Sequence, residues 1–131
     1  MIKSRIHRTV KKLKRFDTNI ESSKTKIILL DNEECFGVYK NDYPDENYLI
    51  YITNYGLRIS IKDDFNFIRY SDIKSTKTSS DKLNDLYITL ELKSNSKFKL
   101  LINGQDGKFR DKFEFHRFLD RAIHDINDND K

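Results

Sequence analysis

The sequence predicts a mainly β domain with helices (α+β): seven short antiparallel strands forming a bent sandwich or partly open barrel, capped by a C-terminal helix. Three observations carry this. Several segments alternate apolar and polar residues with period two, which gives a strand one buried and one wet face and marks antiparallel sheet. Most links between them are three or four residues long, whereas a parallel crossover needs about a dozen or more. Near the end, FEFHRFLDRAIHDI sets Phe115, Phe118, Leu119, Ala122, Ile123 and Ile126 along one helical face. A single apolar helical stripe after a run of strands needs an open sheet or barrel mouth to cover. The helix is expected over residues 112–126, with Asp111 and Glu114 as a capping box.

The chain divides into residues 1–16, 17–24, 25–126 and 127–131. In the first part Ile2, Ile6, Val10 and Leu13 recur at helical spacing, while Lys3, Arg5, Arg8, Lys11, Lys12, Lys14 and Arg15 fill the other faces. This basic amphipathic helix either docks by its apolar stripe or contacts phosphate, of lipid headgroups or nucleic acid. Docking is the simpler reading, because four aliphatic residues without Trp or Phe make a weak membrane anchor. Residues 17–24 read as a polar linker and 127–131 as a polar tail.

Seven strands are expected between them. Residues 25–30 form a continuous apolar run. Cys35–Lys40 sets Phe36 and Val38 on one face, with Gly37 where a bulge or close approach is easy. Tyr48–Thr53 is rich in Tyr and Ile. Over 57–62, Leu57, Ile59 and Ile61 point inward and Arg58, Ser60 and Lys62 outward. Residues 67–74 begin in phase with Ile68 and Tyr70, and a bulge near Ser71 and Asp72 would restore Ile73. Residues 86–93 alternate again, and 97–103 place Phe98, Leu100 and Ile102 inside. The links 31–34, 54–56, 63–66 and 94–96 are hairpin-sized, with Gly56 expected to supply a left-handed residue. The longer links are 41–47, holding the only proline, and 75–85, rich in Ser, Thr and Lys.

Composition excludes several chemistries. The net charge of +4 is uneven: residues 1–16 hold seven basic residues and no acid, leaving the remainder at −3. A single cysteine, Cys35, rules out an internal disulfide and fits a reducing, cytoplasmic setting. No window is apolar over the length of a membrane span. His116 and His124 lie about 12 Å apart along one helix axis, too far to share a metal. His116 reads as a solvated surface residue and Cys35 as a buried structural thiol. Asn103-Gly104-Gln105-Asp106-Gly107 lacks the Lys-Ser/Thr of a phosphate loop. The neighbours Asp63 and Asp64 fit turn chemistry better than acid–base work. No catalytic residue, metal site or cofactor is expected.

The order of elements, with YLIYITNYGLRISI as third and fourth strands and FIRYSDIKS as the fifth, resembles the pleckstrin-homology-like (PH-like) superfold and its bacterial GRAM-type relatives over residues 25–126. The resemblance implies a rigid scaffold that binds lipids, peptides or proteins through its loops. One departure bears on lipid: the first hairpin loop is Asp31-Asn32-Glu33-Glu34 where phosphate binders carry basic clusters, and Lys24 and Lys26 do not outnumber it.

Two surfaces are left. In a meander, alternate hairpin loops share an end, so Asp42, Tyr43, Pro44, Asp45, Glu46, Asp63, Asp64 and Phe65 gather together. Carboxylates interleaved with aromatics suit a basic protein partner, as in an inhibitor or immunity-type protein. The alternative is attachment to an anionic membrane or nucleic acid through the basic helix at 1–16. An acidic end and a basic arm could also associate head to tail.

Overall fold

The structure is a computed structural model that describes residues 16–17, 29–41, 47–62, 64–78, 87–102 and 110–129. Its elements are β1 (Phe16–Asp17), β2 (Cys35–Lys40), β3 (Tyr48–Thr53), β4 (Gly56–Ile61), β5 (Asp64–Arg69), a 3-10 turn (Tyr70–Asp72), β6 (Ile73–Thr78), β7 (Tyr87–Leu92), β8 (Lys97–Leu101) and α1 (Arg110–Asn129). Within each of two sheets the strands pair antiparallel with their neighbours in sequence, in the orders β1-β2-β3-β4-β5 and β6-β7-β8. The mainly antiparallel β architecture with a C-terminal helix is therefore as expected, and the short links explain most of it: those between β3 and β4, β4 and β5, and β7 and β8 are long enough only to reverse the chain.

The inward rows are set by register. Tyr39, Ile50 and Ile59 lie side by side across three strands, and Ile52, Leu57 and Ile68 across the next three positions. With Ile73, Ile88, Leu90 and Leu100 from the second sheet they form a single core. Phe115, Phe118, Leu119, Ala122 and Ile123 of α1 are buried in it, and Ile126 packs at its margin, as the helical stripe requires. The aromatic rings meet edge to face: Tyr39 with Phe115 at 5.8 Å, Phe115 with Phe118 at 6.0 Å, and Tyr70 with Phe118 at 6.0 Å. Such pairs add about 0.5–1.5 kcal/mol each beyond their buried area. They tie the helix to β2 and to the turn where the chain leaves the first sheet.

The two sheets are also joined by one hydroxyl. Tyr48 on β3 donates to Lys99 O and accepts from Leu101 N, both at 3.1 Å. It thereby satisfies backbone groups along the outer edge of β8. Desolvation raises the Tyr48 pKa to about 12, since the phenolate would sit half-buried among these groups.

Several expectations are corrected. The segment at 67–74 is not one bulged strand: β5 ends at Arg69, the 3-10 turn follows, and Ile73 starts β6 in the other sheet. The out-of-phase Ile73 reflects that change of sheet. Ser75–Thr78, expected in a loop, continues β6, and Asp64–Asn66, expected in a turn, belongs to β5. Gly56 does not adopt a left-handed φ; among the described residues the non-glycine residues that do are Asn32, Lys62 and Asn95. Glycine is needed at 56 because a Cβ there would lie 2.2 Å from Ile68 O and 2.6 Å from Arg69 Cα. Phe36 and Val38, expected on one face, lie on opposite faces: β2 bulges between Cys35 and Gly37, whose φ is 156°, so Phe36 packs against the main core and Val38 into the cluster on the other side. Leu29 and Leu30 lie outside any strand and are exposed, while 25–28 fall outside the described residues. Helix α1 begins at Arg110, so Asp111 sits inside its first turn rather than before it. The N-terminal helix at 1–15 lies outside the described residues, whereas Phe16 and Asp17 pair with Tyr39 and Val38 as β1.

Candidate functional site

The end of the first sheet where the acidic and aromatic residues were expected is defined by two bonds. Lys62 N donates to Asn47 O at 3.1 Å, and the buried Asn41 donates through Nδ2 to Tyr48 O at 3.0 Å. Asn41 and Asn47 flank residues 42–46, so that connection leaves and re-enters the sheet beside the β4–β5 turn. Asp64 and Phe65 follow at once on β5; both are exposed, and Phe65 keeps 62% of its surface in solvent. Asp42, Tyr43, Pro44, Asp45, Glu46 and Asp63 fall outside the described residues, as do Lys3, Arg5, Arg8, Lys11, Lys12, Lys14 and Arg15.

Sequence reasoning missed a second constellation, on the outer face of the same sheet. Register sets Val38, Tyr51, Arg58 and Phe67 side by side across β2 to β5. This face was expected to be wet. Instead Val38 and Tyr51 have no exposed surface, and Ser60, one row on, is buried. Glu33 reaches onto it from the turn before β2. Its Oε2 accepts from Arg58 Nε at 2.9 Å and its Oε1 from Arg58 Nη2 at 2.7 Å, a two-pronged pairing in which the Glu33 side chain has no exposed surface and that of Arg58 keeps 17%. Oε1 also accepts from Leu30 N at 2.9 Å. Burial pushes the Glu33 pKa up, but the bonds from Arg58, Leu30 N–H and the Thr53 hydroxyl outweigh it, and the carboxyl ends below its ordinary value. The Arg58 guanidinium also stacks on Phe67, 3.9 Å from the ring centroid, and Arg69 lies 5.5 Å from Tyr55 and 5.6 Å from Phe67.

The turn carrying Glu33 is held against the β3–β4 hairpin. Asn54 Oδ1 accepts from Glu34 N at 2.7 Å, Asn54 Nδ2 donates to Asn32 O at 3.1 Å, and Tyr55 donates to Asp31 O at 3.2 Å. Thr53 Oγ1 accepts from Tyr55 N and Gly56 N, each at 3.1 Å, and the buried Tyr70 donates to Thr53 O at 2.9 Å. The acidic loop at 31–34 therefore projects fewer charges than its sequence suggests, since Glu33 is spent on Arg58. No periodicity could reveal this, because the partners lie 25 residues apart.

The remaining reactive groups have structural surroundings. Cys35 donates to Gly37 O at 3.6 Å, and burial, helped by the Glu33 charge, raises its thiol pKa above the ordinary value. That disfavours the thiolate a nucleophile would need. His116 is half-buried rather than solvated: its Nε2 is shielded from water and lies 3.5 Å from Asp120 Oδ2, while Thr76 donates its hydroxyl to Asp120 Oδ1. The hydroxyl and the imidazole meet opposite oxygens of the carboxylate, so the imidazole is not placed to take the Thr76 proton. Among the described residues no three His, Cys, Asp or Glu side chains gather as a metal would require, and no helix is long and apolar enough to cross a membrane. No protein-family model matches the chain, and neither the curated proteins nor the solved structures yield a match.

Proposed function

We propose that the chain is a non-catalytic binding module of the PH-like kind, which holds a basic protein partner at the end of the first sheet marked by Asp64 and Phe65. The observation that carries this reading is the exposure of Phe65, a large aromatic kept in solvent beside an exposed carboxylate, on a strand anchored in a rigid sheet. Aromatic contact area next to acidic steering charge is the composition of a protein-binding hot spot. The PH-like part of the reading is supported by the arrangement of the seven six- or five-residue strands, four in one sheet and three in the other, with a C-terminal helix buried against the second sheet and the turn between the two. An inhibitor or immunity-type role in the cytoplasm is its most concrete form. The test is capture from native lysate with the wild-type chain and with a variant carrying Asp42, Asp45, Asp63 and Asp64 all changed to Lys. Loss of the main captured protein with the variant is expected; unchanged capture would refute the proposed surface.

A further inference from the structure

The first sheet ends in an edge that the described residues leave open, and the geometry points to a second copy of this chain as its partner. Within the sheet β5 pairs with β4 alone. Tyr70 N donates to Tyr55 O at 3.1 Å just beyond the ladder, and Lys62 N donates to Asn47 O on the other side of β4. Antiparallel alternation then assigns the bonds to β4 to Asp64, Asn66 and Ile68, opposite Ile61, Ile59 and Leu57. The N–H and C=O groups of Phe65, Phe67 and Arg69 are directed away from the sheet.

The other edges are each blunted. β1 is two residues long. β6 is bulged between Ile73 and Ser75 and shows exposed Lys74 and Lys77. β8 shows exposed Lys97 and Lys99 and has Lys99 O and Leu101 N engaged by Tyr48. β5 has no bulge, proline or lysine, the usual devices against edge pairing. Its exposed charges, Asp64 and Arg69, stand at its two ends and are of opposite sign, with the exposed Phe65 beside the first.

Its open groups recur at 65, 67 and 69, so an antiparallel copy can bond to them only in a register that sets these residues opposite one another. Centred on Phe67, that register opposes Phe67 to itself and Phe65 to Arg69 of the second copy, closing a two-fold dimer. The new pair repeats a contact the chain already makes internally, where Arg58 and Arg69 lie over Phe67 and Arg69 over Tyr55. Both members stand on the same face of the strand and are held about 5.5 Å apart at Cα in such a pair.

The test is sedimentation of the purified full chain from about 10 µM to about 1 mM, the range in which an interface of one short strand associates. The wild type is expected to move from monomer to dimer. Phe65→Lys, which puts a lysine on the edge, and Phe65→Pro, which removes an outward N–H without touching the bonds to β4, should stay monomeric with unchanged circular dichroism. Ser94→Lys, with the same added charge on the β7–β8 turn, should dimerise like the wild type. A monomeric wild type, a Phe65→Lys dimer as strong as the wild type's, or equal loss in Ser94→Lys would each overturn the proposal. Because the experiment needs no other protein, its outcome is independent of whether Asp64 holds a basic partner.

Discussion

Replacing Arg58 by leucine withdraws both bonds to a carboxylate whose side chain has no exposed surface, and leaves it only Leu30 N–H, at 2.9 Å, and the Thr53 hydroxyl. Breaking one partner out of a buried pair costs about 3–5 kcal/mol. The 17% exposure of Arg58 lets water approach once the guanidinium has gone, which favours the lower end, while the lost stack on Phe67 adds about 0.5–1 kcal/mol. A loss of about 3–4 kcal/mol at neutral pH is expected, a large part of the stability of an ordinary domain. Glu33→Gln should cost less, about 1–2 kcal/mol, because the amide oxygen still accepts from Leu30 and Arg58 keeps its ring and its access to solvent. The double variant should therefore lose less than the two single losses combined. The pH dependence supplies a sharper check. In the wild type the Glu33 pKa is lowered on folding, so its contribution is complete above the unfolded carboxyl value and disappears as pH falls through the folded one. Without Arg58 the burial that raises this pKa is opposed by fewer bonds, so the pKa rises relative to wild type and protonation relieves the variant. Urea unfolding followed by circular dichroism at pH 7 and at about pH 4 should show the gap between variant and wild type narrowing in acid. A gap below about 1 kcal/mol at pH 7, or one that stays constant on acidification, would refute the assignment of a buried pair.

Three further outcomes follow from the same geometry. Gly56→Ala should destabilise by at least about 1–3 kcal/mol in urea unfolding, because the new methyl meets the β5 backbone at 2.2 Å rather than a side chain that can swing aside. Tyr48→Phe should cost about 1–3 kcal/mol, since it orphans Leu101 N–H and Lys99 C=O together. The Tyr48 pKa is raised on folding to about 12, and burial also raises that of Tyr70 well above the ordinary phenol value. Their stabilising contribution is thus intact below the free phenol value of about 10 and declines as pH rises beyond it, so alkaline unfolding should be less steep in Tyr48→Phe than in the wild type. Phe65→Ser, by contrast, should leave the unfolding midpoint within about 0.5 kcal/mol of wild type, because a side chain 62% exposed contributes little to the fold.

Strands β2, β3, β4, β7 and β8 and the buried stripe of α1 could be read from the chain because each depends on local periodicity and on links too short for any other topology. The failures share one cause. Ile73 looked like a bulge because phase alone cannot distinguish an inserted residue from a passage to another sheet. Gly56 looked like a turn glycine because the strand that crowds it, β5, comes later in the chain. Ser60 and Arg58 looked solvated because polarity at alternate positions signals water only when nothing distant neutralises it, and Glu33 does so for Arg58. Of the acidic and aromatic end, the sequence grouped Asp64 and Phe65 with a loop, and the structure sets both, exposed, at the start of β5. The backbone direction of Phe65, Phe67 and Arg69 had no counterpart in the sequence, because it depends on which residues of β4 face which neighbour.

These same contacts explain why the first sheet can present a fixed edge. Its inner face is locked by the core and α1, and its outer face is closed around Val38, Tyr51 and the Glu33–Arg58 pair. Strand β5 inherits rigidity from both sides, through Ile68 in the core and through Phe67 under Arg58. An edge held in this way loses little conformational entropy when a strand is added to it, which is the usual cost of such pairing. Loosening the outer face by Arg58→Leu should therefore weaken self-association even though Arg58 lies one strand away from the edge and touches no second copy. Dimerisation that persists at full strength in a folded Arg58→Leu chain would show that β5 pairs without the rigidity its outer face lends it.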